Sequence, residues 1–141
     1  MKLFAKTITL NSTQVNALPA TPINVIPAPQ AGYALIPQSL IVVKKSGTQA
    51  GSCTVSTIGL FYTGDTDVLI GLDAVGSATR SSAVLNAGST AATYTAALAR
   101  NVAIGSDVYA AKGIDIGAPG ATITGFTGTL QVTVLFNIVK I

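Results

Sequence analysis

The run GTLQVTVLFNIVKI, from Gly128 to Ile141, constrains the fold more than any other stretch of the chain. Leu130, Val132, Val134, Phe136 and Ile138 fall on one side of an extended backbone. Thr129, Gln131, Thr133, Leu135, Asn137 and Val139 fall on the other. Successive side chains of a strand point to opposite faces, so this strict alternation specifies a strand with one buried face. The second face begins polar and ends with Leu135 and Val139. Its far end is therefore expected to meet another element or another chain.

Further strands follow the same logic. YALIPQSLIVVKK (Tyr33 to Lys45) reads as one strand or two, with Pro37 marking a break, a bulge or an edge. CTVSTIGLFYTG (Cys53 to Gly64) is a third strand, and SGTQAGSC between them has the composition and length of a hairpin loop. GDTDVLIGLD makes a turn and a short strand. Short strands are also expected around Val102, Val108 and Ile114, and the Gly-rich GAPGATITGFTG leads into the last strand. The stretch from Thr79 to Asn101 permits a helix between Thr90 and Ala99 and equally a strand around Thr93, Tyr94 and Thr95. A long loop with one helical turn is the expectation there.

Five of the six prolines lie in LPATPINVIPAPQAGYALIPQ, from Leu18 to Gln38, without a single charge between them. Pro19 and Pro22 fix φ and hold the chain extended as it enters the domain. INVI then forms a short strand, which Pro27 and Pro29 end because they supply no ladder hydrogens. Gly32 turns the chain into YALI. Prolines along an edge also discourage unwanted strand pairing.

Short strands separated by Gly, Pro and Ser turns, with no βαβ rhythm, no repeat and no heptads, give an all-β chain. The expected fold is a single-domain antiparallel β-sandwich, jelly-roll-like, spanning residues 17–141. Residues 1–16 form an N-terminal strand or arm. A chain of 141 residues is long enough to bury a real core.

Charge and residue inventory exclude several classes of function. Only 9% of residues are charged, against about 25% in typical domains. The net charge of +3 reflects few acids, not a basic cluster. The longest basic run is Lys44-Lys45, so a nucleic-acid surface is not expected. No run approaches the length of a membrane span. The MKLFAKTITLN start lacks the apolar core of a signal peptide, and a single cysteine allows no intrachain disulfide. Synthesis and folding in a cytoplasm are expected.

A search for chemistry returns little. Glu, His and Trp are absent, and the carboxylates are Asp65, Asp67, Asp73, Asp107 and Asp115. General acid–base groups thus reduce to Asp, Tyr, Lys and Cys53. Cys53 has no histidine to activate it and reads as a small core residue. One Cys without His excludes zinc. Asp65 and Asp67, two apart in a turn, suggest an oxygen-ligated cation, but too few carboxylates accompany them. They read as a solvated, self-capping turn. Tyr33, Tyr62, Tyr94 and Tyr109 offer rings for sugars, without the tryptophans and acids that normally join them. No catalytic residue, cofactor or metal site is predicted.

The apolar content is high for a soluble monomer, and too few polar side chains exist to coat both outer faces of a sandwich. Large exposed apolar patches mark interaction sites, so an obligate oligomer is expected.

Pro22-Ile23-Asn24-Val25-Ile26-Pro27-Ala28-Pro29-Gln30-Ala31-Gly32 leading into an early strand, with Gly128-Thr129-Leu130-Gln131-Val132-Thr133-Val134 opening the final one, resembles small structural proteins of tailed bacteriophages. The likeness covers both ends and leaves about half the chain, the middle, unmatched. It implies an all-β virion protein, trimeric, that either decorates the capsid or ends a tail fibre, with no catalytic residues to transfer. A cement protein needs a compact oligomer and an arm on the shell, which residues 1–16 would suit. A receptor-binding tip needs a stalk or attachment domain, which is not visible here. The resemblance therefore favours a capsid cement or decoration protein whose partner is the major capsid protein. A tail-fibre tip and a lectin-like binding module are the alternatives. Candidate contact tips are Gly47 to Gln49, Asp65 to Asp67 and Ala118 to Gly120.

Overall fold

A computed structural model describes residues 2–54, 57–65, 67–72, 85, 92–97 (backbone only) and 111–141. Its elements in chain order are β1 (Leu3–Leu10), α1 (Ser12–Ala17), β2 (Ile23–Ile26), β3 (Tyr33–Gln49), β4 (Gly59–Tyr62), β5 (Ile70–Gly71), β6 (Ala92–Ala97), β7 (Ile114–Gly117) and β8 (Phe126–Lys140). They form two four-stranded sheets, β1-β8-β3-β6 and β2-β7-β4-β5. All pairings are antiparallel.

This order is that of a jelly roll. First strand pairs with last, β2 with β7, β3 with β6 and β4 with β5, like one long hairpin folded over and rolled. The β8–β3 and β7–β4 contacts complete the two sheets. The expected all-β sandwich is thus present.

The alternation in the last strand carries the packing. Leu130, Val132, Val134 and Phe136 are buried, and they face Leu10, Leu40, Val42, Leu60, Tyr62, Ile114 and Ile116 in one core. Ile138 departs from the pattern at 41% exposed, while Asn137 is buried. The core face stops before the strand does, and the Asn137 Nδ2 donates to the Lys2 carbonyl at 2.8 Å, tying down the chain just before β1.

Residues 2–16 hold β1 and most of α1. β1 is in register with β8 from Leu3↔Asn137 to Leu10↔Leu130 without a shift. Asn11 and Gln14 carry a capping signal for α1 that the strand pattern hides. Asn11 accepts from the Gln14 backbone N–H, and the Gln14 side chain accepts from the Asn11 N–H, both at 2.9 Å. The helix buries Val15 and, just beyond its end, Leu18. Asn16 clamps the start of β8 with two bonds: its Nδ2 donates to the Phe126 carbonyl and its Oδ1 accepts from the Phe126 N–H.

INVI is the edge strand β2, with a register shift between Asn24 and Ile26 and prolines on both sides. Pro37 does sit at a bulge, between Pro37 and Ser39, and beyond the end of the β6 pairing, where no ladder hydrogen is needed.

Three expectations need correction. SGTQ is not a hairpin loop: β3 continues to Gln49, paired with β8 as far as Phe126. A glycine pair allows it. Gly47 (φ +93°) lies opposite Gly128 (φ +145°), and a Cβ on Gly47 would sit 1.3 Å from the Thr127 oxygen. Cys53 belongs to no long strand; it makes one bridge with Ile123, and β4 starts at Gly59. Residues 92–97 are a strand, not a loop, because they lie along the β3 ladder from Lys44 to Ser39. The strands expected around Val102 and Val108 lie outside the described residues, whereas Ile114 opens β7.

Candidate interaction surfaces

Three cross-strand register rows cross the middle of the outer face of β1, β8 and β3. Thr9, Gln131, Val43 and Thr93 share one register row; Thr7, Thr133, Ile41 and Thr95 the next; Ala5, Leu135, Ser39 and Ala97 the third. None of these residues ionises. Thr7, Thr9 and Ala5 are exposed, and Ile41, Val43, Gln131, Thr133 and Leu135 are half-buried. The Thr7 and Thr133 hydroxyls bond each other at 2.8 Å. Further along, Thr48 and Thr127 do so at 3.2 Å. Each such pair uses part of the hydrogen-bonding capacity of two neutral side chains, so the rows are polar in part but carry no charge.

The opposite sheet carries a groove of about 270 Å³. Pro19, Pro22, Phe61 and Pro119 form its apolar walls, and Asp65 and Asp115 its polar rim. The entry prolines are therefore walls of a surface groove as well as strand terminators. The Asp115 Oδ1 accepts from Asn24 Nδ2 at 2.8 Å and Thr63 Oγ1 at 2.9 Å. Asp65 pairs with Lys112 at 3.6 Å.

Each residue singled out from sequence can now be placed. Cys53 is half-buried against the core. Asp65 and Asp67 lie in the turn after β4; Asp65 is engaged by Lys112 and Asp67 is exposed. Thr66, Asp73, Asp107 and Tyr109 lie outside the described residues, and for Tyr94 only the backbone is described. Tyr62 is buried, and its hydroxyl donates to the Leu35 carbonyl at 2.6 Å, so its ring is not available to a sugar. Tyr33 lines a shallow recess with Pro29, Gln30 and Ile138. Among the described side chains, Tyr33 and Tyr62 therefore share no platform. Of the three proposed tips, Gly47 to Gln49 lies within β3, and in the third Ala118 is buried while Pro119 and Gly120 are exposed.

Lys44 was unremarkable in the sequence, yet it is fully buried on the inner side of β3. Its Nζ donates to the Leu85 carbonyl at 3.2 Å and lies 5.9 Å from the Phe126 ring centre. Burial lowers its pKa from the usual 10.5. The period-two pattern itself could have revealed this, since Leu40, Val42 and Lys44 share a face.

No family model matches the chain, and no curated protein does. Among solved structures, a chain of the cyanophage Pam1 capsid asymmetric unit is similar to it, with 18% identity and a TM-score of 0.48, over 96% of this chain and 82% of that one. A likeness of this size carries no functional argument.

Proposed function

We propose that this chain is a non-enzymatic structural protein of a tailed-bacteriophage virion, a capsid cement or decoration protein that binds the outer shell as a homotrimer. The observation that carries this reading is the set of three uncharged, threonine-bearing rows across the middle of the outer face of β1, β8 and β3, with Lys45 exposed at their border. A face of three continuous rows without a charge is suited to lying against another protein surface. It is poorly suited to binding nucleic acid, which needs cations, or to running acid–base chemistry. The jelly roll is a fold used for capsid domains, and the proline-bounded and C-terminal motifs resemble those of phage structural proteins. In this reading the partner is the major capsid protein, assembly takes place in the host cytoplasm, and no cofactor takes part.

The test is binding of the purified chain to heads assembled without it, followed by disruption of the loaded heads by heat. Binding to intact shells with a raised disruption temperature supports the reading. Failure to bind any shell overturns it.

A lectin-like module is the second reading, because jelly rolls also serve lectins and Tyr33 sits in an open recess. Sugar bound at Tyr33 on a glycan array or in a soaked crystal would favour it.

A further inference from the structure

The groove on the β2-β7-β4-β5 sheet is built by strand register. Asn24 of β2, Asp115 of β7 and Phe61 of β4 lie in one cross-strand row. Leu60, Tyr62, Ile114 and Ile116 belong to the core, so alternation sends Phe61 and Asp115 to the outer side. Gly117 follows on that same side of β7. It supplies no side chain, and this leaves room between Phe61 and Pro22. A Cβ at Gly117 would lie 3.5 Å from the Phe61 ring and 3.6 Å from Pro22. Pro19 and Pro119 add further walls. The Ala118 N–H donates to the Leu18 carbonyl at 3.4 Å, which holds Pro19 beside the end of β7. Three prolines stiffen these walls, so little ordering is needed when something enters.

The charge at the rim is uneven. Asp65 is answered by Lys112 at 3.6 Å. Asp115 is held by neutral groups instead. Its Oδ1 accepts from Asn24 Nδ2 at 2.8 Å and from Thr63 Oγ1 at 2.9 Å, and Asn24 Nδ2 is anchored in turn on the Ile26 carbonyl at 3.2 Å. Among the described residues, no donor reaches its Oδ2 and no cation pairs with it. Two neutral donors fix the direction of a carboxylate without cancelling its charge. A fixed carboxylate over an apolar groove fits an occupant with an apolar stem and a cationic head. The volume of about 270 Å³ lies below the roughly 300–1,000 Å³ of pockets for drug-sized ligands, and a single long side chain suits it better. One open carboxylate oxygen suits a single ammonium, not a two-pronged guanidinium.

We propose that this groove seats a lysine side chain presented by another protein. Its apolar stem lies on Pro19, Pro22, Pro119 and Phe61, and its ammonium donates to Asp115 Oδ2. The site is on the other sheet from the threonine-bearing rows, so it stands or falls independently of the shell contact proposed above.

The test is a titration of the isotope-labelled chain with a short capped peptide of alanines around one lysine, followed by amide chemical shifts. Parallel titrations replace that lysine with norleucine or with arginine. The lysine peptide should shift the amides of Phe61, Asp115 and Gly117 saturably, with a Kd of about 1 mM or below. Norleucine has a similar stem without the charge and should bind at least about tenfold more weakly. Arginine should also bind more weakly. Asp115→Asn keeps an oxygen for Asn24 and Thr63 and should weaken the lysine peptide about tenfold. Gly117→Ala leaves the charge in place but fills the groove at ordinary contact distance, and it should weaken the lysine and norleucine peptides alike. Amide shifts far from the groove report that each variant is folded. No saturable shift up to about 10 mM would overturn the site. Norleucine binding as tightly as lysine would overturn the cationic head, and arginine doing so would overturn the single ammonium. Unchanged binding by folded Gly117→Ala would overturn the groove. Shifts at these amides on concentrating the chain without peptide would overturn the separate partner in favour of a second copy.

Discussion

Replacing Lys44 with Met tests how the sandwich tolerates a cation in its core. Lys44 has no exposed surface. Its contacts include the Leu85 carbonyl at 3.2 Å and the Phe126 ring at 5.9 Å. Desolvation lowers its pKa below 10.5 in the folded chain, whereas the unfolded chain keeps a value near 10.4. Between the lowered value and about 10.4 the native state binds fewer protons than the unfolded state, so stability rises with pH there. Its slope from this one group reaches at most about 1.36 kcal/mol per pH unit. Below the lowered value both states are charged, and the full cost of burying the ammonium is present. Met has nearly the same length and no proton to lose. Removing the ammonium relieves its desolvation cost, and losing its charged hydrogen bonding costs about 1.5–3 kcal/mol; the two offset, so Lys44→Met should lie within about 2 kcal/mol of the parent at pH 7. Urea melts of both proteins from pH 7 to 10.5 give the difference directly. It should move in the parent's favour as pH rises toward 10.5. A constant difference across that range would refute the lowered pKa. A loss above about 3 kcal/mol at pH 7 would refute the claim that the desolvation cost offsets the contacts.

Gly47→Ala should cost about 3 kcal/mol, because the added methyl meets the Thr127 oxygen and φ is positive. The thermal midpoint should drop accordingly, and hydrogen exchange should speed up at Thr48 and Thr127. Tyr62→Phe should cost about 1–2 kcal/mol through the lost bond to the Leu35 carbonyl, read by the same melts. Ile41→Lys puts a charge in the middle row of the outer sheet face and should abolish shell binding while the isolated fold melts within about 1 kcal/mol of the parent. Light scattering at micromolar concentration should give a trimer for the parent chain, and a stable monomer would count against the oligomer.

Much of the fold was legible because alternation is a strong signal wherever one sheet face is buried. The burial of Leu130, Val132, Val134 and Phe136, the short β2 between its prolines and the bulge at Pro37 all follow from residue chemistry. The extension of β3 through Ser46 and Gly47 was not legible. Gly reads as a loop, and only its cross-strand partner Gly128 makes the close approach favourable. Helix α1 was missed because its capping pair, Asn11 and Gln14, is a local signal without a long apolar period behind it. Lys44 was hidden by its neighbour Lys45: a lysine pair looks like surface, and only the strand phase sends one of the two inward. The uncharged outer face was foreshadowed by the scarcity of charge. Its rows depend on register, which no single strand contains.

A reconstruction of the virion at side-chain resolution tests the central claim most directly. The account predicts trimeric density for this jelly roll at three-fold or quasi-three-fold positions on the outer capsid, with the Thr7–Thr133–Ile41 row in contact with protein. Density for the chain at the tail tip alone would contradict it.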